Sequence, residues 1–168
     1  MKSNCMTSTA RALLSAASLI AVATLTAQTV PHGQALVPFS GDSDARPPVA
    51  EADVRIVQRA RSILSAPSKW NRADTRVCPA GARTFSLYCA LETATDEVSG
   101  AFEHRGAAMQ EARFVIEQVA PNVGRYQHRL MDYNNDPKTT FADIQTVFRR
   151  LEERIVKRLA EQAGPGLH

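Results

Sequence analysis

The chain has 168 residues, 44% of them hydrophobic and 22% charged. That is enough apolar material for one cored domain, and the balance is wrong for a disordered or fibrous chain. The formal charge of +3 shrinks once Lys2 and Arg11 are set aside with an acid-free leader, leaving 18 basic against 17 acidic side chains, so no basic footprint points to a nucleic-acid partner.

Lys2 and Arg11 bracket a polar start, and Ala12 to Ala27 is apolar or small, with Leu13, Leu14, Leu19, Ile20, Val22 and Leu25. This pattern predicts a secretory signal peptide over residues 1–27, with cleavage at a small residue between positions 23 and 35. A membrane anchor is the competing reading, but Ser15, Ser18, Thr24, Thr26 and Gln28 dilute the run. Membrane contact is therefore expected only through an uncleaved leader, and the mature protein is expected to be periplasmic or secreted. Cys5 precedes the apolar run, which is the wrong side for lipidation.

Residues 28–50 read as a tether, broken by Pro31, Pro38, Pro47 and Pro48. Within it, Gly41-Asp42-Ser43 resembles the nucleophile segment of a lipase-esterase family, but a proline-bounded tether lacks the buried strand that such a serine ends. A helical domain is expected over residues 51–163, followed by a short tail at 164–168.

The first helix is predicted over Glu51 to Ser65. Val54, Val57, Ala60 and Leu64 form its stripe, with Ile56 and Ile63 beside them and Pro67 as its stop. A loop anchored by Trp70 leads to a second helix over Thr84 to Val98, lined by Leu87, Leu91 and Ala94 and interrupted by Gly100. A third is predicted over Glu103 to Val119, with Met109, Ala112, Val115 and Ile116 inward, and a helical turn near Tyr126 to Met131. The last helix starts at a Thr140-x-x-Asp143 capping box, and its stripe runs from Phe141 through Ile144, Val147, Phe148, Leu151 and Ile155 to Leu159. Its charge run, Arg149 to Arg158, is expected to be a solvated face. The fold class is all-α: a compact bundle of about four helices.

Cleavage of the leader removes Cys5 and leaves Cys78 and Cys89. In an oxidising compartment this pair is expected to close as a disulfide, the alternative being two thiols.

Three segments occur in order: Leu64-x-x-Pro67-x-x-Trp70, Tyr88-Cys89-Ala90-Leu91-x-x-Ala94, and Tyr133-Asn134-Asn135-Asp136 before Thr140. The pattern resembles a family of small uncharacterised bacterial and phage helical domains, over about Glu51 to Leu159. Glu92 stands where that family prefers glycine, and Cys78 looks like an addition. The resemblance implies a fold and no activity.

Asp132, Asn134 and Asp136 have the spacing of a calcium loop whose twelfth position is Asp143, but Pro137 sits where the loop needs glycine, and an Asx-rich turn explains the same residues. No other cofactor is suggested. Of the four histidines, His32, His104, His128 and His168, no two have zinc-helix spacing. Trp70, Tyr88, Tyr126 and Tyr133 are the candidates for a ligand pocket. The function expected is a non-enzymatic module binding a protein or small ligand. The alternative is a small envelope hydrolase built on Asp132, Asp136 and His128.

Overall fold

The computed structural model describes residues 44–164. The leader, most of the tether with Gly41-Asp42-Ser43, and both His32 and His168 lie outside them. Five α-helices follow in chain order: α1 (Glu51–Ile63), α2 (Leu87–Ser99), α3 (Ala107–Val119), α4 (Arg129–Asn135) and α5 (Phe141–Ala163). Among the described residues the only pairing of β type is an isolated bridge between Trp70 and Phe85. The domain is all-α, with one short helix more than the sequence pattern suggested.

Each helix begins where a side chain captures backbone N–H groups that the first turn leaves without partners. The capping box of α5 forms as read: Thr140 Oγ1 accepts from Asp143 N–H at 3.2 Å, and Asp143 Oδ2 accepts from Thr140 N–H at 2.8 Å. α2 starts at Leu87 and not at Thr84, because Ser86 Oγ takes the Cys89 N–H and Phe85 is drawn into backbone bonds with Lys69 and Asn71. α3 starts at Ala107 and not at Glu103. Residues 103–106 form a turn, and the cap comes from another helix: Asp53 Oδ1 accepts from Ala108 N–H at 3.0 Å. The other oxygen of Asp53 accepts from Ala50 N–H at 2.8 Å, so one buried carboxylate serves the starts of α1 and α3. α4 starts at Arg129 because Asp132 Oδ2 accepts the N–H groups of Gln127 and His128.

α1 packs on α2 and α5, and α3 packs on α5. The apolar stripes predicted for α2, α3 and α5 are buried at their centres. On α1 the stripe is rotated slightly: Ile56 is buried with Val57, Ala60 and Leu64, while Val54 and Ile63 are only half-covered.

The sequence pattern missed how deeply α3 lies. Every residue from Ala107 to Ile116 is buried, including Gln110, Glu111 and Arg113. Glu111 is fully buried and receives both Arg154 and Arg158 from α5. Two members of the charge run expected to be solvated therefore turn inward, because an ionised carboxylate in the core requires paired positive charge.

The end of the tether closes over α3. Asp44 pairs with Arg129 at 2.7 Å, Gln110 donates to the Ala45 carbonyl at 2.8 Å, and Arg158 donates to that of Pro47 at 3.2 Å. Gln162 holds Val49 from both sides, accepting from its N–H at 3.0 Å and donating to its carbonyl at 2.8 Å. Arg46 stacks over Phe114, 4.3 Å from the ring centre. Prolines at 47 and 48 keep this stretch extended, which leaves its carbonyls available to side chains.

Removing Glu111 leaves two half-buried guanidinium groups without their shared counter-charge. Glu111→Ala is expected to destabilise the domain by about 3–5 kcal/mol in urea unfolding. A loss below about 1 kcal/mol would mean that solvent screens the clamp as it does a surface pair.

Candidate functional site

One side chain of the third motif segment, Asn134, joins Trp70 of the first to Leu87, the residue just before the second. Asn134 is fully buried at the end of α4. Its Oδ1 accepts from Trp70 Nε1 at 2.8 Å and from Leu87 N–H at 3.0 Å, and its Nδ2 donates to the Asn71 carbonyl at 2.9 Å. Asn135 continues the contact, accepting from Asp74 N–H at 2.7 Å and donating to the Asp74 carbonyl at 2.9 Å. Arg72 donates to the carbonyls of Pro137 and Thr139, both at 3.1 Å, with its guanidinium 5.0 Å from the Trp70 ring centre. The loop between Trp70 and Ser86 is thereby bound to the α4–α5 turn through backbone-reading amides. Cys78 and Cys89 form a disulfide, with Cα atoms 5.3 Å apart, that fastens the far side of the same loop to α2.

The residues of the calcium pattern are each engaged within the fold. Asp132 and Asn134 lie within helix α4, with Asp136 as its C-cap, and are not arranged around a loop. Asp132 caps α4, Asn134 faces Trp70, Asp136 accepts from Tyr126 Oη at 3.1 Å, and Asp143 caps α5. Among the described residues no three His, Cys, Asp or Glu side chains come together in a way that could hold a metal ion.

The aromatic candidates divide among three places. Trp70 packs on Phe141, with ring centres 6.2 Å apart. Tyr126 and Tyr133 share a groove of about 220 Å³ between the end of α3 and the start of α5, with Val119 and Pro121 on one wall and Asp136, Lys138 and Asp143 on the others. A second, more open groove shares Tyr126 and Asp136 with it and adds Arg125 and Asp132. Both phenols are pushed up to about 12, Tyr126 by burial and the Asp136 carboxylate beside it, Tyr133 by burial and then Asp143. They are hydrogen-bond donors throughout the neutral range.

Tyr88 belongs to a separate nook with Arg76, His104, Arg113 and His128. Here the protons can be placed. A guanidinium only donates, so His104 Nε2, 3.1 Å from Arg113, is an acceptor and the ring proton sits on Nδ1. That proton points at Tyr88 Oη, 3.2 Å away, and the phenol in turn faces Glu92 one turn along α2. Burial and the neighbouring Glu92 push Tyr88 up to about 12, and burial raises Glu92 as well. At the edge of the nook Asp74 is 5% exposed. One carboxylate oxygen accepts from Arg76 N–H at 2.7 Å and the other is buried without a hydrogen-bond partner. Burial raises the Asp74 carboxyl, and Arg76 and Ser86 offset this only in part.

His128 faces Arg76, with Nδ1 at 3.5 Å, while Asp132 and Asp136 border the tyrosine grooves. The His128–Asp132–Asp136 set is therefore divided between two sites. Asp74, Arg76 and Arg113 did not stand out in the sequence, and Glu92 did so only as a departure from the resembled family. A Tyr88–Glu92 pair at helical spacing was legible there; the approach of Arg113 and Arg76 depends on a helix start and a disulfide-held loop.

Residues 48–154 match the model of a family of unknown function (DUF6197). The chain belongs to this family. No curated protein and no solved structure matches it. The match spans all three motif segments and agrees with the resemblance in its central point, a domain family to which no activity is attached.

Because Asp74 binds its proton more tightly folded than unfolded, its contribution to stability is complete below the ordinary carboxylate range and is lost as pH rises through the raised value. Asp74→Asn keeps an acceptor for Arg76 N–H and removes the buried charge. It is expected to raise Tm at neutral pH and to flatten the pH dependence on the acidic side. A lower Tm at pH 7 would show that the carboxylate is needed in its charged form.

Proposed function

We propose that this chain is an exported, non-catalytic binding module, and that the groove between Tyr126 and Tyr133 takes a cationic amine or guanidinium group of its ligand. The groove carries the reading. It combines apolar walls at Val119 and Pro121 with two protonated phenols and the carboxylates of Asp136 and Asp143. Such a site surrounds an alkyl stem with apolar surface and meets its charged end with acceptors and aromatic rings. Across the two adjoining grooves Asp132, Asp136 and Asp143 outnumber Arg125 and Lys138, so a basic group is favoured.

Export is supported by the leader and by the Cys78–Cys89 disulfide, which fits an oxidising compartment. A pocket-centred mode is supported by the surface. The exposed large hydrophobic side chains among the described residues are Val77 and Val156, on a loop and on α5 respectively, and they do not form a broad apolar patch. Binding is favoured over hydrolysis because the carboxylates at the groove already act as acceptors for Tyr126 and for helix starts, and His128 lies in the other site.

Titrating the protein with pentalysine amide, followed by two-dimensional NMR, is expected to shift resonances of Tyr126, Tyr133 and Asp136 before others. Asp136→Asn is expected to weaken the interaction about fivefold, equivalent to about 1 kcal/mol. Equal binding of pentaglutamate, or shifts confined to other surfaces, would overturn the assignment.

A further inference from the structure

α2 ends at Ser99 because Gly100, at φ +77°, turns the chain out of the helix, and α3 does not begin until Ala107. The link between them, the start of α1 and the Pro47–Pro48 stretch together surround a cleft of about 400 Å³. It shares no residue with the tyrosine grooves or with the nook beside Tyr88. We propose that this cleft binds a free α-amino acid with an aliphatic side chain, its ammonium group met by Glu103 and its carboxylate by Arg105.

The walls select the side chain. Pro47, Pro48, Ala52, Ile56 and Ala107 present aliphatic surface, and the lining carries no aromatic ring. The volume is near the lower end of the range for small-molecule sites, which suits one amino acid better than an oligopeptide. Thr95 and Ser99, one helical turn apart on α2, add hydroxyl groups. The Thr95 hydroxyl donates to the Leu91 carbonyl at 2.7 Å and keeps its lone pairs for an ammonium proton.

The two charges select the headgroup. Glu103 and Arg105 are opposite in sign, two positions apart and on the same cleft. Among the described residues neither forms a salt bridge or a side-chain hydrogen bond, with the other or with any neighbour. The Glu103 carboxylate folds back over the start of α3, where a Cβ placed on Gly106 would lie 3.8 Å from its Oε2. Asp53 also borders the cleft, but its oxygens accept from Ala50 and Ala108 N–H and serve as a wall. A simple anion would face Glu103 and Asp53, and a simple cation would face Arg105. A zwitterion satisfies both signs at once. Both charged side chains are exposed, so they act through water and a roughly millimolar Kd is expected.

Two-dimensional NMR of the purified protein titrated with L-leucine, 4-methylpentanoate and 3-methylbutylamine tests the proposal. The three share a branched alkyl group and differ in charge. L-Leucine is expected to shift the amides of Ala52, Thr95 and Ala107, and each analogue is expected to bind at least about tenfold more weakly. Glu103→Gln is expected to weaken leucine about tenfold and leave 4-methylpentanoate unchanged, while Arg105→Gln weakens leucine and leaves 3-methylbutylamine unchanged. Absence of shifts at these amides up to the solubility limit of leucine, equal binding of either analogue, or leucine binding of full strength in both variants would overturn the proposal. Shifts confined to Tyr126 and Tyr133 would overturn it too, because they assign the ammonium to the other groove. Should either variant fail to fold, the analogue comparison on the unaltered protein decides the matter.

Discussion

The carboxamide of Asn134 holds together parts of the chain that no apolar contact would bring into register. It is fully buried, and it receives an indole N–H from one segment and a helix-start N–H from another while donating to a backbone carbonyl. Only an amide can do all three at once, because it carries an acceptor and two donors on one planar group. A carboxylate would lack the donor, and an apolar residue would leave the Trp70 and Leu87 N–H groups buried without partners. The loop from Trp70 to Ser86, which has little regular structure, takes its path from this point and from the disulfide at Cys78. Because Arg76 and Asp74 are on that loop, the nook beside Tyr88 depends on it too.

A second organising constraint lies in α3. That helix is buried around its whole circumference over its first turns, yet it carries Gln110, Glu111 and Arg113 there. Each is answered from a different element: Gln110 by the Ala45 carbonyl, Glu111 by two arginines of α5, Arg113 by His104 and the His104 carbonyl. Buried polar groups of this kind cost more than they return unless every partner is in place, so they fix the order of packing around α3 more strictly than aliphatic contacts would. The strap from Asp44 to Val49 is part of that order and closes the last open face of the helix.

The tyrosine groove and the nook beside Tyr88 differ in charge. The tyrosine groove is acidic, open to solvent and built on a helix end. The nook is cationic in its lining, with Arg76, Arg113 and two histidines around the Tyr88 phenol. Neither site was legible as a cluster in the sequence. Tyr126 and Tyr133 were visible as aromatic residues near a turn, but their neighbours Val119 and Asp143 come from α3 and α5. Arg76 and Arg113 are separated by 37 positions, with a disulfide and two helix starts between them.

The sequence by itself determined the all-α class, the stripes of α2, α3 and α5, the capping box at Thr140 and Cys78 and Cys89 as the pair available to close. These follow from local periodicity, from a side chain reaching a backbone group three residues away, or from counting. The tertiary structure alone decided that the Asn134 carboxamide brackets Trp70, Leu87 and Asn71, that Arg154 and Arg158 turn inward to Glu111, and that Asp53 caps two helices. Each of these depends on a partner from a distant part of the chain. A polar side chain has the same spacing in the sequence whether it faces water or a buried group of opposite character, and only packing determines which.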